Sequence, residues 1–376
     1  MKRLIQSLLS VFFALTFGDT AIAQPAREPT PVIFDTDMFG DIDDVLALAM
    51  LHALQDRSEI RLLAVTTTTD YEWCAPFIDA VDTYYGHSDV LIGVVKDGVT
   101  AEETLRKFPP TKLQSTYINY TKYISELKKP GGALLFPRRL TPNSEIPEAV
   151  SLLRKALAAQ PDGSVVIVQV GFSTNLARLL RSKPDSVSPL NGLELVKRKV
   201  RLLSVMAGRY NGDDGKLLDH PNPEFNVVMD VPSAQFLFAN WPTPIVDSGF
   251  EIGDSMLLKG SKIDRNFSSA KANPVVETYR YTDPIFRSAK TPSGALHNHP
   301  TYDLTAVLYA VLPDDGYFSL SEPGKITILA DGSSHFDATA SGKHRYLTMT
   351  PIQRSRAIEA MTMLASQPAA FKHNAP

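Results

Sequence analysis

Val32-Ile33-Phe34-Asp35-Thr36-Asp37-Met38-Phe39-Gly40-Asp41-Ile42-Asp43-Asp44 is the stretch whose reading decides the fold. Its three apolar residues run straight into acids, the pattern of a short buried strand. From Asp43 to Leu54 apolar residues return at helical spacing, and the two carboxylates at the start suit the positive end of a helix dipole. The same handover from strand to helix repeats outward along the chain. Residues 61–67 read as strand, 75–85 as helix and 90–95 as strand, while 147–160 read as helix, 165–170 as a β-branched strand and 173–180 as helix. Two further strands, 200–206 and 245–246, flank a helix over 232–238. This alternation predicts an α/β protein with a mostly parallel central sheet and helices on both faces. Ligands in such folds bind beyond the carboxyl ends of the strands. Residues 98–143 and the loop-rich 279–299 interrupt the alternation without the composition of an interdomain linker, and residues 325–329, Asp331-Gly332 and 343–347 suggest a terminal β-hairpin. The expected organisation is one domain over 32–376 with an insert at 98–143.

Composition narrows the classes of function. The 376 residues carry a formal net charge of −3, which argues against a nucleic-acid partner. A single cysteine excludes an intramolecular disulfide framework and a zinc site built on several thiolates, so Cys74 is expected to be a small buried hydrophobe. Lys2 and Arg3 precede an apolar run over 4–17, and Ala21-Ile22-Ala23 offers small residues at the positions a signal peptidase reads. Residues 1–23 are therefore expected to be a cleaved signal peptide, followed by a polar linker over 24–31. The run is shorter than the roughly 20 residues a bilayer span needs, so no stable membrane anchor is expected after cleavage. The mature protein is expected to be periplasmic or secreted, where calcium is more abundant than in cytosol.

The acid cluster carries the chemistry. Five carboxylates fall within the ten residues 35–44, just after a buried strand. At that density in a half-buried site, mutual repulsion raises at least one carboxylate pKa strongly, and a bound cation resolves the conflict. All-oxygen donors favour a hard ion, calcium or magnesium. A solvated acidic turn would need only one or two of these acids. A hydrophobic strand followed by Asp-x-Asp also opens the haloacid-dehalogenase phosphatases, but those continue with Gly-Thr or a similar small β-branched residue. Here Met38-Phe39 follow, and the phosphatase chemistry has no use for the Asp43-Asp44 pair.

The chain resembles the inosine-uridine-preferring nucleoside hydrolases from about residue 31 to about residue 347. Asp35, Asp37, Asp43 and Asp44 match the ends of that family's Asp-x-Asp-x-Gly-x-Asp-Asp fingerprint, with two extra residues, Asp41 among them, between the pairs. Gly171-Phe172-Ser173-Thr174-Asn175-Leu176-Ala177 is similar to the family's Gly-Pro-Leu-Thr-Asn-Leu-Ala turn. Pro223-Glu224-Phe225-Asn226 is similar to its Ala-Glu-Phe-Asn segment, and Tyr302-Asp303-Leu304-Thr305-Ala306 to its His-Asp-Pro-x-Ala helix start. The resemblance implies a Rossmann-like fold and calcium-dependent hydrolysis of the N-glycosidic bond of ribonucleosides, or of a related ribosyl compound. It implies calcium held by Asp37, Asp44, Asp303 and the main-chain carbonyl of Val170, with Asp37 taking the proton of a water made more acidic by the ion. Asp43 and Asn226 would grip the 2′- and 3′-hydroxyls and Glu224 the 5′-hydroxyl, around an oxocarbenium-like transition state. A homo-oligomer is also compatible with the resemblance. A periplasmic ribose-binding protein would use the same contacts without activating water.

Where the family carries Asn after its second strand, this chain has Thr66-Thr67-Thr68-Thr69-Asp70-Tyr71, and Asp70 is the nearest polar substitute. Asn175 is expected to cap the helix that starts at Ser173 or to brace the turn rather than touch substrate. The family's leaving-group histidine is replaced by Tyr302, which is expected to orient or hydrogen-bond the base. His297 and His299 lie on a Pro-flanked loop, where exposure rather than catalysis is expected. Trp73, Tyr71, Phe39 and Tyr210 are the aromatic candidates for stacking on the base.

Overall fold

The computed structural model describes residues 28–107, 119–212, 215–266, 272–287, 291 and 293–370. The expected signal peptide, the first half of the linker and part of the 98–143 insert lie outside the described residues. Strand β1 (Thr30–Thr36) runs through the middle of the main sheet, parallel to β2 (Ile60–Asp70) on one side and β4 (Val165–Gln169) on the other. Beyond β2 lies β3 (Leu91–Thr100), and beyond β4 lie β5 (Val200–Val205) and β6 (Ile245–Asp247), all parallel. The order β3-β2-β1-β4-β5-β6 reverses between β1 and β4, and in open α/β sheets the crevice beyond such a reversal takes the ligand.

The burial explains why β1 sits there. Val32 and Phe34 point into one apolar cluster and Ile33 into the other, so both faces of the strand are covered. Val166 and Val168 of β4 join the first cluster and Val165 and Ile167 the second, the signature of a sheet buried on both sides. Helix α1 (Asp43–Asp56) is buried at every residue from Asp43 to Leu54. It packs between the sheet and the helices Tyr302–Val311 and Pro351–Ala365. Helices Ala149–Ala158, Thr174–Arg181, Gly192–Lys199 and Val231–Asn240 cover the other face with one apolar side each.

Three stretches differ from the sequence reading. The hairpin at the C-terminal end joins β10 (Gly324–Ile328) to β11 (Ser334–Ala338). The run over 343–347 is not the arm across the Asp331-Gly332 turn: β12 (His344–Thr348) pairs antiparallel with β10 only at Gly324 and His344 and lies parallel to β6, tying the hairpin to the main sheet, with β9 (Ser319–Leu320) beside it. Position 279, expected in a loop, lies within the helix Pro274–Phe286, because Asn273 caps its first turn by accepting from Val275 N at 2.8 Å and Pro274 occupies a position that needs no donor. His299 belongs to a short strand, β8 (His299–Pro300), paired with β7 (Leu257–Leu258). The insert begins with the helix Ala101–Lys107, and Lys107 Nζ donates to the carbonyls of Val228 and Met229 at 3.0 Å each, holding this segment over the ends of the strands.

The carboxyl ends of β1 and β4 meet closely. An added Cβ on Gly171 would lie 2.5 Å from the backbone nitrogen of Asp37 and 2.8 Å from Thr36 C, so the turn after β4 fits against β1 only without a side chain. Gly171→Ala should push the two strand ends apart and destabilise the protein by about 1–3 kcal/mol in urea unfolding, as overpacking of a tight contact does. An unchanged midpoint would show that the turn can shift without disturbing Asp37.

Candidate active site

Two helices begin at the same place. Asp43 and Asp44 occupy the first turn of α1, and Asp303 the first turn of Tyr302–Val311, and all three side chains are buried. Asp303 N donates to Asp43 Oδ2 at 3.2 Å, joining the two helix starts. One carboxylate oxygen of each of Asp43, Asp44 and Asp303 lies within 4.8 Å of the others. Helix N-termini favour negative charge, which offsets part of the repulsion. It does not remove it. Burial, then the neighbouring carboxylates, push Asp37, Asp44 and Asp303 well above the usual carboxylate range. Asp43 is pushed up to about 7 by burial and by Asp41.

The other acid of the motif has a different task. Asp35 is fully buried and accepts from Thr66 Oγ1 at 2.6 Å and Asn175 Nδ2 at 2.8 Å. Asn175 Nδ2 also donates to the carbonyl of Thr67 at 3.0 Å, so its role is structural, but it ties β1 and β2 together rather than capping or bracing its own turn. Burial raises Asp35 to about 7. Thr36 supports the cluster from below: its hydroxyl donates to Asp44 Oδ1 and accepts from Met38 N.

Asp37, Asp41, Asp43, Asp44 and Asp303 wall one cavity of about 560 Å³ together with Val170, Glu224, Asn226 and Tyr302. The metal, sugar and base ligands implied by the resemblance therefore come together. Asn226 Nδ2 donates to the carbonyl of Val170 at 2.9 Å and of Met206 at 3.1 Å, which fixes the amide against the ends of β4 and β5. Glu224 caps the helix Phe225–Met229, accepting from Asn226 N at 2.9 Å and Val227 N at 3.2 Å, and also accepts from Gly208 N at 3.3 Å. Burial brings Glu224 to about 7 against the pull of those donors. Loop ordering and pocket lining are thus both done by the same side chain.

Several expectations change. Asp70 does not line the cavity; Thr69 does, and its hydroxyl donates to the carbonyl of Asp37 at 3.0 Å. Side chains alternate along β2, so only one of the neighbours Thr69 and Asp70 can face the site. Of the aromatic candidates Phe39 lines the cavity, with Tyr71 edge-on behind it at 5.2 Å. Tyr210 is buried, donating to Asp247 Oδ2 at 2.6 Å, and Trp73 packs under Lys122 and Arg138. Tyr302 lines the cavity, but its hydroxyl donates to Asp254 Oδ1 at 3.0 Å, and burial together with Asp254 pushes the phenol far above its ordinary value. His297 and His299 are not exposed but buried at 1% and 2%, the latter 2.6 Å from Asp41. Thr104, Leu105 and Phe250 also line the cavity, and no pattern in the sequence points to them.

The donor set can be tested against a metal. It consists of carboxylate and carbonyl oxygens, buried and mutually repelling, the arrangement that a hard divalent cation neutralises. Lys107 lines the same cavity, yet its ammonium is turned to the Val228 and Met229 carbonyls. The acid cluster around Asp44 and Asp303 can hold such an ion.

No curated protein matches the chain. Among solved structures, a purine-preferring ribonucleoside hydrolase from Gardnerella vaginalis superposes with a TM-score of 0.63 at 17% identity, covering 89% of this chain and 99% of that one. A plant nucleoside hydrolase gives 0.61 at 17% identity, covering 90% and 100%. An inosine-uridine preferring nucleoside hydrolase from Bacillus anthracis gives 0.59 at 13% identity, covering 90% and 99%. At these identities the likeness establishes the fold. Residues 32–358 match the family described as inosine-uridine preferring nucleoside hydrolase, so the chain belongs to that family of N-glycosyl hydrolases.

Proposed function

We propose that this protein hydrolyses the N-glycosidic bond of ribonucleosides, or of a related ribosyl compound, to ribose and free base, with calcium held by Asp37, Asp44, Asp303 and the Val170 carbonyl. The observation that carries the reading is that the acid cluster and the candidate sugar ligands wall one cavity at the strand-order reversal. The cation, when bound, would acidify a water and neutralise the carboxylates around it. The chain's own residues supply the rest. Asp37, at the end of β1 and on the cavity wall, is placed to take a proton from the attacking water. Asp43 and Asn226 would hold the 2′- and 3′-hydroxyls, and Glu224 the 5′-hydroxyl, orienting C1′ toward that water. The surrounding carboxylates stabilise the positive charge that develops on the ribosyl ring. The basic start, the apolar run over 4–17 and Ala21-Ile22-Ala23 support a periplasmic or secreted location, which would also supply the calcium.

Two measurements test this. If the acids hold a resident ion, calcium should raise the thermal midpoint and a chelator should lower it, because a ligand at about 100 times its Kd adds about 2.7 kcal/mol to stability. Asp44→Asn should lose both this shift and hydrolysis of ribosides, whereas stoichiometric calcium in that variant would overturn the ligand assignment. In the second, ribosides should exceed 2′-deoxyribosides in kcat/KM by roughly 5- to 150-fold, the cost of leaving a buried partner unmet. Equal rates on both would remove the ribose-pocket reading.

A further inference from the structure

The two residues that lengthen the acid motif make a connection of their own. Asp41 lines the cavity and its side chain keeps 39% exposure, unlike the buried Asp43, Asp44 and Asp303. Behind it runs a buried chain of polar groups. His299 Nε2 lies 2.6 Å from Asp41 Oδ1, His299 Nδ1 lies 3.2 Å from His297 Nε2, and His297 Nδ1 lies 2.9 Å from Asp283 Oδ1. Asp283 also accepts from His297 N at 2.7 Å and from Arg287 Nε at 2.8 Å, so it is held as a carboxylate and lies below its usual range despite the opposing effect of burial. The backbone is fixed as well. His299 pairs through β8, Tyr279 donates to the carbonyl of His297 at 2.6 Å, and the Tyr279 ring stacks on His297 at 4.6 Å.

This geometry assigns the protons. An acceptor at Asp283 places the His297 proton on Nδ1, which leaves Nε2 with a lone pair. That lone pair requires a proton on His299 Nδ1, and the Asp41 carboxylate requires one on His299 Nε2. His299 is therefore an imidazolium, with Nδ1 facing the His297 lone pair and Nε2 in ion-pair contact with the Asp41 carboxylate. The charged and titratable groups around it are Asp41 and Asp43 on the side of the acid loop, His297 beside it, and the Tyr279 ring packed edge-on at 6.4 Å. Burial alone would lower His299; Asp41 outweighs it and raises the net value, while burial leaves His297 lowered.

We propose that Asp41 is a catalytic residue that hands a proton to the departing base, and that His299, His297 and Asp283 are positioning residues that keep that proton in place. This rests on the hydrolase reading and adds the missing acid to it. Tyr302 is ill suited to the task because its hydroxyl proton is directed at Asp254. In the step, the C1′–N bond breaks and its electron pair passes to the base nitrogen. The His299 Nε2 proton moves to Asp41 Oδ1 and from there to that nitrogen, leaving neutral imidazole. The water oxygen bonds to C1′, and the proton Asp37 takes from it returns to His299 through solvent. The sum is riboside plus water giving ribose plus base.

The test compares two substrates on the calcium-loaded protein: inosine, whose base leaves poorly, and p-nitrophenyl riboside, whose leaving group needs no proton. General-acid help is worth about 10²–10⁴-fold. Asp41→Asn and His299→Gln should each lower the ratio of kcat on inosine to kcat on p-nitrophenyl riboside by about 10²-fold or more, and His297→Gln should lower it by a smaller factor. Taking the ratio within each variant cancels losses of folding or metal. Independently, ¹⁵N spectra of the histidine-labelled protein near neutral pH should show both ring nitrogens of His299 protonated and only Nδ1 of His297. An unchanged ratio in an active protein overturns the relay and leaves the hydrolase reading standing, as does a His299 ring with a bare nitrogen. A wild-type protein that cleaves neither riboside overturns both.

Discussion

Mutual repulsion among buried carboxylates is the constraint on which this molecule is built. Asp43, Asp44 and Asp303 sit at the starts of two helices that converge in front of β1, and each is more costly to ionise because of the others. Helix dipoles, the Thr36 hydroxyl and the Asp303 amide offset only part of that cost. The arrangement is therefore unfavourable for a protein with no cation and favourable for one that carries it. A site of this kind couples the ion to the packing of the whole layer, since α1 is buried along nearly its full length and cannot retreat.

The placement of the site was legible because the sheet is buried on both faces. Continuous apolar strands such as Val165–Gln169 and the 3.6-residue spacing of α1 can be read directly, and a parallel sheet with a reversal of strand order leaves one crevice for ligands. The acid motif was legible because five carboxylates follow directly on a buried strand, whereas Glu224, Asn226 and Asp303 were legible only through the resemblance of their short segments to the family's motifs. Asp35 and Asn175 show the limit of that logic within the motif itself: they bond to each other beneath the site and hold β1 to β2.

What could not be read was set by contacts between distant segments. His297 and His299 look like ordinary loop residues until Asp283, fourteen positions before the first of them, and Asp41 close the chain around them. The run over 343–347 has a hairpin's spacing, but β6 offered a free edge and took it in parallel register. Thr69 against Asp70 was decided by one step of strand alternation, and the twisted end of β2, with a register irregularity between Thr67 and Thr69, is where such a step is hardest to count.

The same contacts explain why fold and site are difficult to separate here. Glu224 caps a helix with both carboxylate oxygens while facing the cavity, and Asn226 spends its amide protons on the Val170 and Met206 carbonyls that end β4 and β5. Gly171 lets the ends of β1 and β4 touch, and that touch sets the distance between Asp37 and the Val170 carbonyl. A site assembled from groups that are also caps and strand-end braces is rigid without needing extra residues to support it. Asp41 is the exception. It lies in the part of the motif that the family's spacing does not require, keeps partial exposure, and takes its order from the histidines behind it. A change in this loop can therefore alter what faces the cavity while Asp44, Asp303, Glu224 and Asn226 stay held at strand ends and helix starts.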